Sequence, residues 1–121
     1  MNKISPDVIK RISLDVVNIY FNGVRKNQCD SIANEIAYTI ESEYDIPTIG
    51  DTPAYVNGKK HFVALIKTEY VAGTYTSEHL IIDAALQQFV PDELQNVPDV
   101  VLLDVHEYSK YYDGNPVKHI K

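Results

Sequence analysis

Residues 27–47 read NQCDSIANEIAYTIESEYDIP, and they hold the change of period on which the fold turns. Ile32, Ala33, Ile36, Ala37, Ile40 and Tyr44 recur three and four residues apart, the spacing that lines up one face of an α-helix. Asn27 stands in the N-cap position with Asp30 three residues on, a variant of the capping box with Asp in place of Glu, so Cys29 is expected in the first turn. Asp45-Ile46-Pro47 ends the pattern, because the proline ring pushes the residue before it out of the helical region.

Upstream, Ser5-Pro6-Asp7 reads as another helix start: Ser5 as N-cap, Pro6 at the first helical position, Asp7 where a negative charge complements the dipole. This helix is expected to run to about Phe21, with Ile9, Ile12, Val16, Ile19 and Tyr20 as its buried stripe and Lys10, Arg11 and Asp15 on the wet side. Gly23 breaks the pattern, and Val24-Arg25-Lys26-Asn27 is a polar loop into the second helix.

Downstream the pattern becomes extended. Asn57-Gly58, set between Ala54-Tyr55-Val56 and His61-Phe62-Val63-Ala64-Leu65-Ile66, predicts a hairpin of two antiparallel strands. Ala72-Gly73, flanked by Tyr70-Val71 and Thr74-Tyr75, marks a further short turn. Leu80-Ile81-Ile82 suits a buried strand, and Val100 to Val105 reads as one more. Tyr111-Tyr112-Asp113-Gly114-Asn115-Pro116 is turn-rich and expected on the surface. Helices first and strands afterwards is the order of an α+β domain, with N-terminal helices packed on an antiparallel sheet.

The bulk numbers narrow the function. A chain of 121 residues fits a single domain, 1–121, with one core. The net charge of −6, with Lys and Arg scattered, argues against nucleic acid, whose phosphates require clustered cations. No apolar run approaches the roughly 18 residues that span a bilayer, and Met1 to Pro6 lacks the apolar stretch of a signal peptide, so no membrane association and a cytoplasmic location are the expectations.

One cysteine permits neither an internal disulfide nor an all-cysteine metal site, so the thiol is either buried filler or a nucleophile. A helix's first turn favours the nucleophile, since unpaired N–H groups and the dipole stabilise a thiolate. On the helical register of Ile32, Ile36 and Ile40, Cys29 points toward the sheet, where a base can reach it. His61 opens its strand just beyond the Asn57-Gly58 turn and is the best base; as an isolated residue it also reads as an exposed hairpin histidine. Asp83 directly follows Leu80-Ile81-Ile82, which makes it a turn residue or the group that fixes a histidine tautomer. His79 is a rival base, separated from Asp83 by about 13 Å of strand. Glu78-His79 and His106-Glu107 lack a recognised ligand spacing, so neither metal nor organic cofactor is expected. Tyr70 and Tyr75 are core residues or the lining of a substrate groove.

The order and context of these three residues resemble the papain-like superfamily in its transglutaminase-like branch. Gln28-Cys29 before an amphipathic helix looks like that family's Gln-Cys opening, and His61-Phe62-Val63 resembles its His-aromatic-Val strand. Ile81-Ile82-Asp83-Ala84-Ala85-Leu86-Gln87-Gln88-Phe89 is similar to its strand ending in Asp-Pro-Thr. The resemblance covers about residues 27–89 and implies a papain-like core with a Cys29-His61-Asp83 triad. Cys29 would attack an amide or ester carbonyl, His61 would take and return the proton, and Asp83 would orient the imidazole. Peptidase, amidase, protein deamidase and acyltransferase activities all fit, acting on a peptide or protein substrate.

The chain departs from that pattern in having no tryptophan and in carrying Ala84-Ala85 for Pro-Thr. The oxyanion donors stay open among the Cys29 N–H and the side chains of Asn22, Asn27 and Gln28. Two other classes remain: a non-catalytic protein-binding module on the same fold, and a small toxin or effector held by an inhibitor or immunity protein.

Overall fold

The structure, a computed structural model, describes residues 3–24, 27–86 and 98–120. Arg25-Lys26 of the expected loop and Gln87-Gln88-Phe89 of the resemblance lie outside the described residues. Two helices come first, α1 (Pro6–Tyr20) and α2 (Cys29–Tyr44). Four strands follow, β1 (Thr48–Val56), β2 (Lys59–Lys67), β3 (His79–Asp83) and β4 (Val101–Asp104), in the spatial order β1-β2-β3-β4 with every neighbouring pair antiparallel. The architecture is α+β, as the element order predicts.

Ser5 caps α1 through a hydrogen bond from the Val8 N–H (3.2 Å). The buried stripe is Ile9, Ile12, Ser13, Val16 and Val17, while Ile19 and Tyr20 are 69% and 62% exposed, against expectation. Ser13 and Val17 fill the inward positions, and the last turn of α1 runs beyond what covers the stripe.

In α2 the expected face is buried from Ile32 to Ile40. The cap differs: Asn27 takes a left-handed backbone (φ 61°) and the helix starts one residue later, with Gln28 (φ −121°, ψ 10°) in the cap position and no side-chain cap bond. Cys29 is the first helical residue. The helix ends where the proline requires, with Asp45 left-handed and its N–H bonded to Glu41 O (3.0 Å).

Asn57 and Gly58 both have positive φ (51° and 76°), the primed turn whose twist matches the flanking strands. Gly50 is needed for a different reason. A Cβ there would meet Asn34 Oδ1 at 2.5 Å and Asn34 Cα at 2.9 Å, so only glycine lets α2 lie this close to β1.

The sheet is buried on both faces. One carries Ala64, Ile66, Leu80 and Ile82 against Ile32, Ile36 and Ile40 of α2 and the stripe of α1. The other carries Ala54, Val56, Val63, Leu65, Ile81, Val101 and Leu103 against Tyr112, with Tyr108, Tyr111, Val117 and Ile120 packed around them. The C-terminal segment, expected on the surface, is therefore the second cover of the sheet. Its short 3₁₀ turns (Val105–Lys110 and Pro116–His119) let tyrosines reach inward from a turn-rich sequence. The last strand stops at Asp104, because Val105 begins the first of these turns.

The chain around Ala72-Gly73 does turn, but not as a hairpin. Val71 bridges Ile4 in parallel, and the Tyr75 hydroxyl donates to Ala72 O (2.6 Å). Tyr70 and Tyr75 pack against the helical core. Among the described residues no helix is long and apolar enough to cross a membrane.

Candidate active site

The three sequence-predicted residues meet at one end of the sheet. Alternation along β2 puts His61, Val63 and Leu65 on the face away from the helices, while Cys29 starts a helix on the opposite face. They come together because the β2–β3 ladder stops at Ala64↔Ile82, three residues short of His61, and past that point β3 no longer separates the two layers. Phe62, Ile82, Asp83, Ala84 and Ala85 border the resulting crevice opposite Cys29, Ile32, Ala33 and Ile36.

His61 is fully buried and Asp83 is 2% exposed. The Nε2 of His61 lies 2.8 Å from Asp83 Oδ2. An ionised carboxylate only accepts, so Nε2 carries the hydrogen and Nδ1 is left toward the thiol. Asp83 Oδ1 accepts from the Ala85 N–H (2.9 Å), and Oδ2 also accepts from the Tyr112 hydroxyl (2.7 Å).

Cys29 is half-buried, and its thiol is coupled to the His61 side chain. Burial by itself raises the thiol pKa, but the interaction with the His61 imidazolium and the N–H groups of Phe62 and Asp30 outweigh it and bring the pKa down. Burial likewise opposes the imidazolium, yet the bonds and charges of Asp83 and Cys29 raise His61 from 6.5 to about 9. With the acid lowered and the base raised, the two shifts favour a thiolate-imidazolium pair.

Of the expected oxyanion donors, Asn22 and Asn27 are exposed loop residues with left-handed backbone, and Gln28 is the half-buried helix cap. The N–H groups aimed at the sulfur come from Asp30 and Phe62. Asp30 follows from the helix start. Phe62 lies beyond the last β2–β3 pair, Ala64↔Ile82, so β3 does not take its N–H, which turns to the Cys29 sulfur.

His79 sits at the other end of β3, paired with Lys67, in a groove with Glu41, Thr48, Ile49 and Tyr70. Burial, with Lys67 adding and Glu78 opposing, lowers its pKa. His106 and Glu107 are exposed on the 3₁₀ turn after β4, and among the described residues no three of His, Cys, Asp and Glu gather as metal ligands.

Sequence reasoning missed Tyr112. Nothing in its neighbourhood separates it from the other eight tyrosines, because its role depends on the C-terminal segment folding back over the sheet. Asp104 was also missed: it accepts from the Thr76 N–H (2.8 Å), the Thr76 hydroxyl (2.8 Å), the Ser77 hydroxyl and the His106 N–H (3.1 Å), which ties the loop before β3 to the end of β4.

Comparison with protein-family models, with curated proteins and with solved structures returns no match.

Proposed function

We propose that the protein is a cysteine-dependent acyl-transfer enzyme, a hydrolase or acyltransferase of peptide or protein substrates, with a papain-like, transglutaminase-like arrangement of Cys29, His61 and Asp83. The observation that carries the reading is the buried His61 ring, hydrogen-bonded through Nε2 to Asp83 and electrostatically coupled to the Cys29 thiol at the start of α2. A cysteine used only as filler needs no imidazole, and a buried histidine used only for packing needs no thiol.

The chemistry follows from that arrangement. Cys29 Sγ, as thiolate, attacks a carbonyl carbon, and a C–S bond forms as the oxygen takes up negative charge. The Asp30 and Phe62 N–H groups, which face the sulfur in the free protein, are the nearest donors to that oxygen. The imidazolium gives its Nδ1 proton to the leaving amine or alkoxide, the C–N or C–O bond breaks, and a thioester remains on Cys29. Water, deprotonated by the now neutral His61, hydrolyses it; an amine in place of water gives transfer. Asp83 keeps the ring in the tautomer that presents Nδ1 throughout.

Intact-mass spectrometry after mixing with p-nitrophenyl acetate tests this. A rapid gain of one acetyl group, with a matching burst of nitrophenolate, is expected in the wild type and absent from Cys29→Ala. Equal labelling of the two proteins would contradict the reading and favour the binding-module alternative.

A further inference from the structure

The Asp83 carboxylate is held from three directions, and one of them lies outside the helix start and the strands that carry Cys29, His61 and Asp83. The buried Tyr112 hydroxyl donates to Oδ2, the same oxygen that accepts from His61 Nε2, while the Ala85 N–H holds Oδ1. The Tyr112 ring lies nearly parallel to the imidazole, with centroids 6.5 Å apart and planes 14° apart, and Tyr111 meets its edge at 78°.

The backbone around Tyr112 is anchored as well. Its N–H donates to Tyr108 O (2.9 Å), the Asp113 N–H donates to Tyr55 O (2.7 Å), and Asp113 Oδ2 accepts from the Gly58 N–H (2.8 Å). The Asn57-Gly58 turn, which begins the His61 strand, and the C-terminal segment, which brings the tyrosine, are thus clamped to each other by Asp113.

We propose that Tyr112 is a positioning residue of the Cys29–His61–Asp83 site: its hydroxyl fixes Asp83 Oδ2 in line with His61 Nε2, and its ring covers the imidazole, so that Nδ1 is presented to the Cys29 sulfur. The inference rests on the thiol reading above and adds to it the part that the C-terminal segment plays. A tyrosine that only filled the second face of the sheet would serve as well without its hydroxyl, since the ring supplies the packing. Here the hydroxyl meets the one carboxylate that orients the base. Without it Oδ2 keeps only the histidine as donor, the carboxylate is free to turn about its Cβ–Cγ bond, and the imidazolium loses part of its support.

The test is Tyr112→Phe, read by the pH profile of Cys29 alkylation with iodoacetamide and, separately, by thermal unfolding. The expected result is a thiolate midpoint about one unit higher, seen as a roughly tenfold slower reaction on the acid limb, in a protein that still folds. An unchanged midpoint overturns the proposal whatever happens to thermal stability, because a merely structural tyrosine moves only the latter. A lower midpoint also overturns it, since the hydroxyl would then be drawing charge from Asp83 rather than aligning it. If Tyr112→Phe does not fold, Asp113→Ala at the exposed clamp carries the test, with a smaller upward shift expected and no shift contradicting it. Failure of the thiol reading looks different: the wild type itself would alkylate like a free cysteine, which overturns both.

Discussion

The Nε2 of His61 and the Oδ2 of Asp83 lie 2.8 Å apart although the two strands stop pairing three residues before His61. Asp83 reaches past the end of that ladder because β3 is still held on its far side, by the pairing of Asp83 with Val101 of β4. The carboxylate is thus fixed by one neighbour and turned toward the other. Asp83→Asn keeps the shape but puts an amide where only an acceptor serves, so acyl transfer should fall by roughly 10⁴-fold, the scale known for a triad carboxylate made amide. Steady-state rates on an activated ester, compared with wild type, measure it.

Asp83→Ala should cost stability as well as activity. It leaves the buried His61 ring and the Tyr112 hydroxyl facing a space with no acceptor, a loss of about 3–5 kcal/mol for one partner of a buried pair. Urea unfolding of both proteins at neutral pH gives the difference.

The pH dependence of stability has two opposing arms at this site. His61 is raised from 6.5 to about 9, so its contribution is complete below about pH 6.5 and is lost as pH rises through about 9. Cys29 is lowered from 9.0, so its contribution is present above that value and is lost as pH falls through the lowered pKa. Between the lowered Cys29 pKa and about pH 9, wherever this window overlaps that of His61, the two slopes oppose each other. Cys29→Ala removes one arm, and its stability should decline as pH rises above about 6.5, ending short of 9 because the thiolate no longer supports the imidazolium. Chemical unfolding of the variant at half-unit intervals from pH 6 to 9 reveals that slope.

The fold was legible wherever a local rule acts alone. Pro6, Pro47 and Asn57-Gly58 set boundaries through backbone sterics, and the apolar face of α2 shows its period directly. Cys29 and Asp83 were legible as candidates because each stands at an element terminus, and His61 because it follows the Asn57-Gly58 turn by three residues. What escaped depends on parts of the chain distant in sequence. Ile19 and Tyr20 have apolar side chains but no cover, and the C-terminal tyrosines read as surface because their sequence is turn-rich, although the open face of a four-stranded sheet had to be covered by something. The Phe62 N–H was invisible too, since it depends on where the β2–β3 ladder stops.

His79, the rival base in the sequence, lies at the opposite end of β3 from Asp83. His79→Gln should leave the rate and pH profile of Cys29 alkylation as in wild type, whereas His61→Gln should slow the reaction on the acid side. Loss of acid-side reactivity in the His79 variant would reverse the assignment.

Asp104 makes an acid-range prediction. Burial acts against its ionised form, but donors from Ser77, Thr76 and His106 hold its carboxyl well below the usual range. Its contribution is present above the unfolded value of about 4 and drains as pH falls toward the lowered one. Asp104→Ala should therefore be less stable at pH 7 and lose less on going from pH 4 to pH 2 than wild type, as urea midpoints across that range will show.

The second-order rate of Cys29 with iodoacetamide as a function of pH, followed by intact mass, tests the activated thiol most directly. The lowered thiol pKa predicts a midpoint shifted to lower pH and, at pH 6, a rate above that of a free thiol. A rate that matches a free thiol at pH 6 and climbs with a midpoint of about 8.5 contradicts it.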